Sequence, residues 1–215
     1  MKDRISGLYA VTPQTRESEW LYARVDAVLA GGARLVQYRS KDQDARLQRG
    51  QAARLLQLCH CRGALLIVND DAVLAASLGA DGVHLGREDM PLAAARAALG
   101  SARVIGISCY DSLDRAREAE REGADYVAFG SFFPSAVKPR AVRASADLLR
   151  AARRALRIPI VAIGGITADN GGILLEAGAH ALAAISALFE AADSRAAAAR
   201  FAALFRTRDE TSPVG

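Results

Sequence analysis

The chain has 215 residues, of which 51% are apolar, with a formal net charge of +4 and a pI near 9.2. Its apolar residues fall in short runs, none near the roughly 20 consecutive residues that a membrane span needs. The basic charge lies largely on scattered arginines such as Arg150, Arg153, Arg154 and Arg157, without the clustered stripe and interleaved aromatics of a nucleic-acid surface.

From the N-terminus, Met1-Lys2-Asp3-Arg4-Ile5 leads almost at once into a strand, which leaves no room for a signal peptide; the expected compartment is the cytoplasm. Apolar runs without strict alternation predict strands at 7–11, 35–39, 65–69, 82–85, 104–108, 126–129, 160–163 and 181–185. Such runs suit parallel strands covered on both faces. Between them, Ala-, Leu- and Arg-rich segments predict helices at 17–30, 44–61, 71–78, 91–99, 113–122, 146–156, 170–177 and 187–205. Eight β/α alternations point to a single α/β domain, a (β/α)8 TIM barrel over 1–206, with 207–215 as a loose tail.

A repeated phrase supports that count. Gly31-Gly32-Ala33, Gly79-Ala80-Asp81, Gly123-Ala124-Asp125 and Gly178-Ala179-His180 each close a helix before a strand. Glycine suits the left-handed position just past a helix end. The cysteines, Cys59, Cys61 and Cys109, are odd in number and give no disulfide framework. Cys59-His60-Cys61 has no second ligand pair, and neighbours on a helix point apart, so buried, inert thiols are expected rather than zinc.

A barrel of this kind carries its site in the loops after the strands. Those positions hold Gln37-Tyr38-Arg39-Ser40-Lys41, Asn69-Asp70-Asp71, His84 through Asp89, Ser108, Ser135-Ala136-Val137-Lys138, Gly164-Gly165 and Ile185-Ser186. Arg39, Lys41 and Lys138 can converge on a highly charged anion. Asp70 and Asp89 can offer hard oxygens to Mg2+, which takes one or two carboxylates plus phosphate oxygens and water. Gly164-Gly165 and Ser186, at the start of the last helix, form a second anion subsite. Two subsites in one mouth imply two phosphorylated small-molecule reactants. Each residue also has a plainer role: Asp70 or Asp71 as a cap for the helix from Ala72, Asp89 as a cap near Pro91, Asn170 as a cap, and His84 as a packed or hydrogen-bonded side chain.

The ordered set Gln37 through Lys41, Leu66 through Asp70, Ala80 through Met90, Ile105 through Ser108, Phe133-Pro134-Ser135 with Lys138, and Val161 through Ile166 resembles the thiamine phosphate synthase family across nearly the whole chain. The resemblance implies Mg2+-dependent alkyl transfer: a thiazole phosphate displaces pyrophosphate from an aminopyrimidine-methyl pyrophosphate. It implies that Gln37, Tyr38, Arg39, Ser40, Lys41, Asn69, Ser108 and Lys138 bind the pyrimidine pyrophosphate. Among these, Ser108, Lys138, Arg39 and Lys41 act in the chemistry. Ser135, Ala136, Val137, Gly165, Ile185 and Ser186 would contact the thiazole phosphate, and Asp70 and Asp89 the metal. It also suggests a homodimer, with no nucleic-acid or membrane partner. Pro13 and Val137 stand where the family often has Asp and Thr. The related thiazole tautomerase, and a non-catalytic phosphate-binding barrel, are the competing readings.

Overall fold

A computed structural model describes residues 4–41, 44–134 and 143–211, apart from the side chains of 207–211. Eight parallel strands close into a barrel in sequence order: β1 (Gly7–Val11), β2 (Ala33–Tyr38), β3 (Leu65–Asn69), β4 (Gly82–Leu85), β5 (Val104–Tyr110), β6 (Tyr126–Phe129), β7 (Ile160–Ile163) and β8 (Ala181–Ala184). The connecting helices are α1 (Ser18–Ala30), α2 (Ala45–Cys61), α3 (Ala72–Leu78), α4 (Leu92–Leu99), α5 (Leu113–Arg121), α6 (Ala146–Ala155), α7 (Gly172–Glu176), α8 (Ser186–Phe189) and α9 (Ser194–Thr211).

Side-chain parity divides the core in two. Tyr9, Val11, Leu35, Leu65, Ile67, Val104, Tyr126 and Val161 fill the barrel interior. Their chain neighbours, such as Leu8, Val36, Leu66, Val68 and Val127, meet the helices. The helices dock by the same logic. Ser145 caps α6 by accepting from the Leu148 amide at 3.2 Å. Leu149 and Ala152 then face the barrel while Arg150, Arg153 and Arg154 stay in solvent. Burying Leu149 alone stabilises by about 2 kcal/mol.

The glycine phrase has a second function at the base of the barrel. Its third residue ties down the preceding strand: Asp81 accepts from the Leu66 amide at 2.8 Å, Asp125 from Ile105 at 2.8 Å, and His180 Nδ1 from Ile160 at 3.0 Å. The glycines behave as expected at Gly79 (φ 66°), Gly123 (φ 93°) and Gly178 (φ 111°), whereas in the first copy Gly32 (φ 107°), not Gly31, takes the positive φ. Asp125 is also paired with Arg96 at 2.6 Å. Asp125→Ala would strand the buried Ile105 amide, and is expected to lower unfolding stability by about 2 kcal/mol. That is roughly 4–8 °C in Tm, with the opposite, loop-bearing end of the barrel unaffected; thermal unfolding checks it.

Three expectations are corrected. The segment 187–205 is not one helix. The Ser194 hydroxyl donates to Leu188 O at 2.7 Å, Arg24 takes the Ala191 carbonyl at 2.7 Å, and Asp193 caps the next helix through the Ala196 amide at 2.9 Å. The chain therefore stops after one turn and restarts as α9, which runs past residue 206 to Thr211. Asn170 does not cap α7, which starts at Gly172. Its side chain instead bridges the Thr167 amide and Gly165 O, at 2.8 and 3.0 Å. Of the cysteines, Cys59 and Cys109 are buried but Cys61 is exposed. Burial pushes the Cys59 and Cys109 thiols up to about 12, and His60 is bonded to Asp81 at 3.0 Å.

Candidate active site

At the C-terminal rim, the inward parity that buries Leu35 and Leu65 brings forward Gln37 and Arg39 from β2 and its end, and Asn69 from β3. His84 comes from β4 and Ser108 from β5. All line a central cavity of about 190 Å3. It opens sideways onto Lys41, Asp70, Asp89 and Tyr110, and on the far side onto Gly164, Gly165, Ile185 and Ser186. Arg39, Asp70 and Asp89 thus share one mouth. Ser135, Ala136, Val137 and Lys138 lie outside the described residues.

Tyr38 is a correction. One residue out of phase with Gln37, it points into the helix layer, 3% exposed, and its hydroxyl donates to Gln51 Oε1 at 2.9 Å. It cannot reach the mouth. Ser40 is half-buried on the rim beside it.

The caps separate the two neighbouring aspartates. Asp71 caps α3, accepting from the Leu74 amide at 2.7 Å. Asp70 is left for the mouth, and its backbone takes φ 64°, a conformation that costs a non-glycine residue free energy and clusters at functional sites. The Asp70 amide donates to His84 O at 2.8 Å, which holds the turn in place. Asp89 does not cap α4; it accepts from the Gly86 amide at 2.6 Å and closes its own loop.

The two carboxylates touch, and Lys41 Nζ lies 2.6 Å from Asp70. Burial pushes Asp70 upward, but hydrogen bonds to Lys41 and Asp89 and the Lys41 charge bring it below the usual carboxylate range. Burial, and then the adjoining Asp70 against the opposing Gly86 bond, hold Asp89 above it. Two adjacent carboxylates with one compensating ammonium form a hard oxygen site that suits a divalent cation with phosphate oxygens and water completing its shell. The Lys41–Asp70 pair is half-exposed and contributes at most about 1 kcal/mol, so an arriving anion can open it easily. The Arg39 guanidinium has no hydrogen-bond partner among the described residues, and its backbone is fixed by the buried Thr12, whose Oγ1 accepts from the Arg39 amide at 2.9 Å. Arg115 fastens the adjoining strand ends by donating to Ser108 O at 2.8 Å and Gly86 O at 3.4 Å.

Beneath the cavity lies a buried polar chain of which the sequence reading named only Gln37, His84 and Ser108. Gln37 Nε2 donates to the Tyr9 hydroxyl at 3.0 Å, and the Tyr9 and Tyr126 hydroxyls are 2.9 Å apart. Tyr126 bonds His84 Nδ1 at 2.9 Å, and His84 Nε2 bonds Ser108 Oγ at 2.8 Å. Burial drives His84 down to about 4, only partly offset by the charge of Asp70, so the imidazole is neutral near pH 7. Tyr9 and Tyr126 could have been found from parity: both fall on inward positions of strands, and a buried phenol needs a partner.

The far subsite is built from backbone. Gly165 has φ 64° and lies so close to Pro134 O that a Cβ would meet it at 2.4 Å. The expected long helix at Ser186 is only the one-turn α8. Any anion there would depend on the first unpaired amides of that turn, not on the dipole of a long helix.

The sequence pattern described as thiamine monophosphate synthase matches residues 8–188. The chain belongs to the thiamine monophosphate synthase family. It is 53% identical over 204 residues to the thiamine-phosphate synthase of Thiobacillus denitrificans, covering 95% of this chain and 97% of that protein. With the thiamine-phosphate synthase of Nitrosospira multiformis it shares 54% over 202 residues, 94% of this chain and 86% of the other. The solved thiamine phosphate pyrophosphorylase from Pyrococcus furiosus superposes with a TM-score of 0.85 at 35% identity, covering 96% and 98% of the two chains. Membership in the thiamine monophosphate synthase family agrees with the (β/α)8 barrel and with a mouth that gathers cations and carboxylates.

Proposed function

We propose that this mouth joins a thiazole phosphate to an aminopyrimidine carrying a diphosphomethyl arm, releasing pyrophosphate and thiamine phosphate. The methylene C–O bond breaks and its electron pair leaves on the pyrophosphate oxygen. The thiazole ring nitrogen then supplies the pair for the new C–N bond. The observation that carries this reading is the Asp70–Asp89 carboxylate pair with Arg39, Lys41, Asn69 and Ser108 on one cavity wall. A carboxylate substrate would be repelled by that pair, whereas a metal pyrophosphate satisfies both signs of charge at once.

Asp70 and Asp89 would hold Mg2+, which when bound neutralises charge growing on the leaving group. Arg39 and Lys41 grip the pyrophosphate oxygens, Asn69 donates to them, and the Ser108 hydroxyl lies beside the departing oxygen. Gln37 reads the pyrimidine edge. Gly165, Ile185 and Ser186 would receive the thiazole phosphate, together with Ser135, Ala136 and Val137 from the segment after β6, whose Lys138 would join Arg39 and Lys41 on the pyrophosphate. No enzyme nucleophile enters.

The test combines purified protein, Mg2+, the pyrimidine pyrophosphate and the thiazole phosphate, and follows thiamine phosphate by chromatography. Metal-dependent product with stoichiometric pyrophosphate is expected. Isomerisation of a thiazole carboxylate without condensation would select the tautomerase, and inertness with both substrates the non-catalytic barrel.

A further inference from the structure

Tyr9 and Tyr126 lie in the barrel interior between two residues of the mouth, and their hydrogen bonds leave few choices. Among the described residues, each of the five side chains in the series Gln37–Tyr9–Tyr126–His84–Ser108 bonds only its neighbours along it. No buried side-chain nitrogen or oxygen lacks a partner among the described residues. The Gln37 amide oxygen, which has no partner among the described residues, therefore opens on the cavity that Gln37 lines.

We propose that Tyr9, Tyr126 and His84 are positioning residues that transmit the orientation of the Gln37 amide to the Ser108 hydroxyl. By this coupling a pyrimidine bearing an amino donor, accepted at Gln37, turns the Ser108 proton toward the leaving oxygen. The proton inventory fixes the direction. An amide nitrogen can only donate, so Tyr9 accepts from Gln37 and must give its own hydrogen to Tyr126. Tyr126 has then accepted once and must donate to His84 Nδ1. A neutral imidazole carries one N–H, now on Nε2, which donates to Ser108 Oγ. The Ser108 hydrogen has no acceptor left within the chain and points into the cavity.

Turning the Gln37 amide over reverses every link. The oxygen would accept from Tyr9, His84 would carry its hydrogen on Nδ1, and Ser108 would donate to Nε2 instead of to a ligand. Intermediate arrangements strand a buried phenol hydrogen or set two donors against each other, which costs the desolvation of an unsatisfied group. The chain thus has two coherent polarities. An exocyclic amino group at Gln37 selects the one that arms Ser108; an oxo group at the same ring position needs the other. The link to leaving-group chemistry rests on the synthase reading above, whereas the polarity does not.

Nitrogen NMR of His84 tests it, with three histidines in the chain and His84→Gln to assign the signals. The unaltered protein is expected to show a protonated Nε2 and a bare Nδ1. Gln37→Glu places an acceptor-only group against Tyr9 and is expected to move the proton to Nδ1, three hydrogen bonds away along the barrel floor. Adding Tyr126→Phe, or Tyr9→Phe if that variant does not fold, should uncouple the tautomer from position 37. The same tautomer in the folded parent and folded Gln37→Glu overturns the proposal. In turnover, Tyr126→Phe should lower kcat roughly 10- to 100-fold with the KM for the pyrimidine pyrophosphate nearly constant; an unchanged kcat would remove the coupling to chemistry. Should the parent form no thiamine phosphate, the synthase reading fails while the NMR comparison still decides the relay.

Discussion

Asp70→Asn and Asp89→Asn are each expected to lower the rate of thiamine phosphate formation by roughly 100- to 1000-fold, the scale on which one preorganised electrostatic contact to a transition state is lost. Asn is the informative replacement at position 70. The backbone there sits at φ 64°, which Asn tolerates and Ala does not, so Asp70→Ala would mix backbone strain with loss of charge. At position 89, the Asn carbonyl can still accept from the Gly86 amide now 2.6 Å from the carboxylate. Loop geometry is preserved and only the anion is removed. Without metal, Asp89→Asn should unfold no earlier than the parent, because one of two adjoining carboxylates is gone. Raising Mg2+ should restore part of the activity of either variant. Steady-state rates across a Mg2+ series, beside thermal unfolding, check both statements; full turnover by both variants at ordinary Mg2+ would remove these residues from the metal site.

Gly106→Ala is expected to be strongly damaging, although it adds only one carbon to the barrel interior. A Cβ there would lie 2.0 Å from Tyr126 Cζ and 2.4 Å from its hydroxyl, distances no side-chain shuffle of a fully buried ring can absorb. The phenol must leave its place between Tyr9 and His84. The expected cost is about 1–3 kcal/mol of stability from overpacking, together with a kcat loss at least as large as that of Tyr126→Phe. Combining Gly106→Ala with Tyr126→Leu, which removes the clashing ring tip, should recover much of the stability and none of the activity. Urea unfolding and product formation on the same preparations separate the two effects. If Gly106→Ala alone were as stable and as active as the parent, the tight fit of Tyr126 against β5 would be disproved.

Membership in the family and the closed barrel are independent lines that agree, but the candidate site was legible to different depths at different residues. Asp70 and Asp71 were indistinguishable along the chain, since either can cap a helix. The structure separates them because the Leu74 amide lies within reach of Asp71 alone. Tyr38 looked like a site residue because it sits between Gln37 and Arg39; strand parity sends it to Gln51 instead. The break between α8 and α9 leaves no glycine or proline to announce it, because a side chain from α1, Arg24, captures the Ala191 carbonyl.

What the amino-acid order determined by itself was local: apolar runs that become strands, caps and glycines that end helices, and the side of each strand that a residue must face. Those rules act over a few residues, which is why five of the eight strands, β1, β3, β4, β6 and β7, have the expected bounds. What only the tertiary structure decided was which distant groups meet. Tyr9 and Tyr126 are 117 residues apart in the chain and 2.9 Å apart at their hydroxyls, and that meeting exists only once the eight strands have closed. Closure sets distances across the barrel, and no local propensity encodes them.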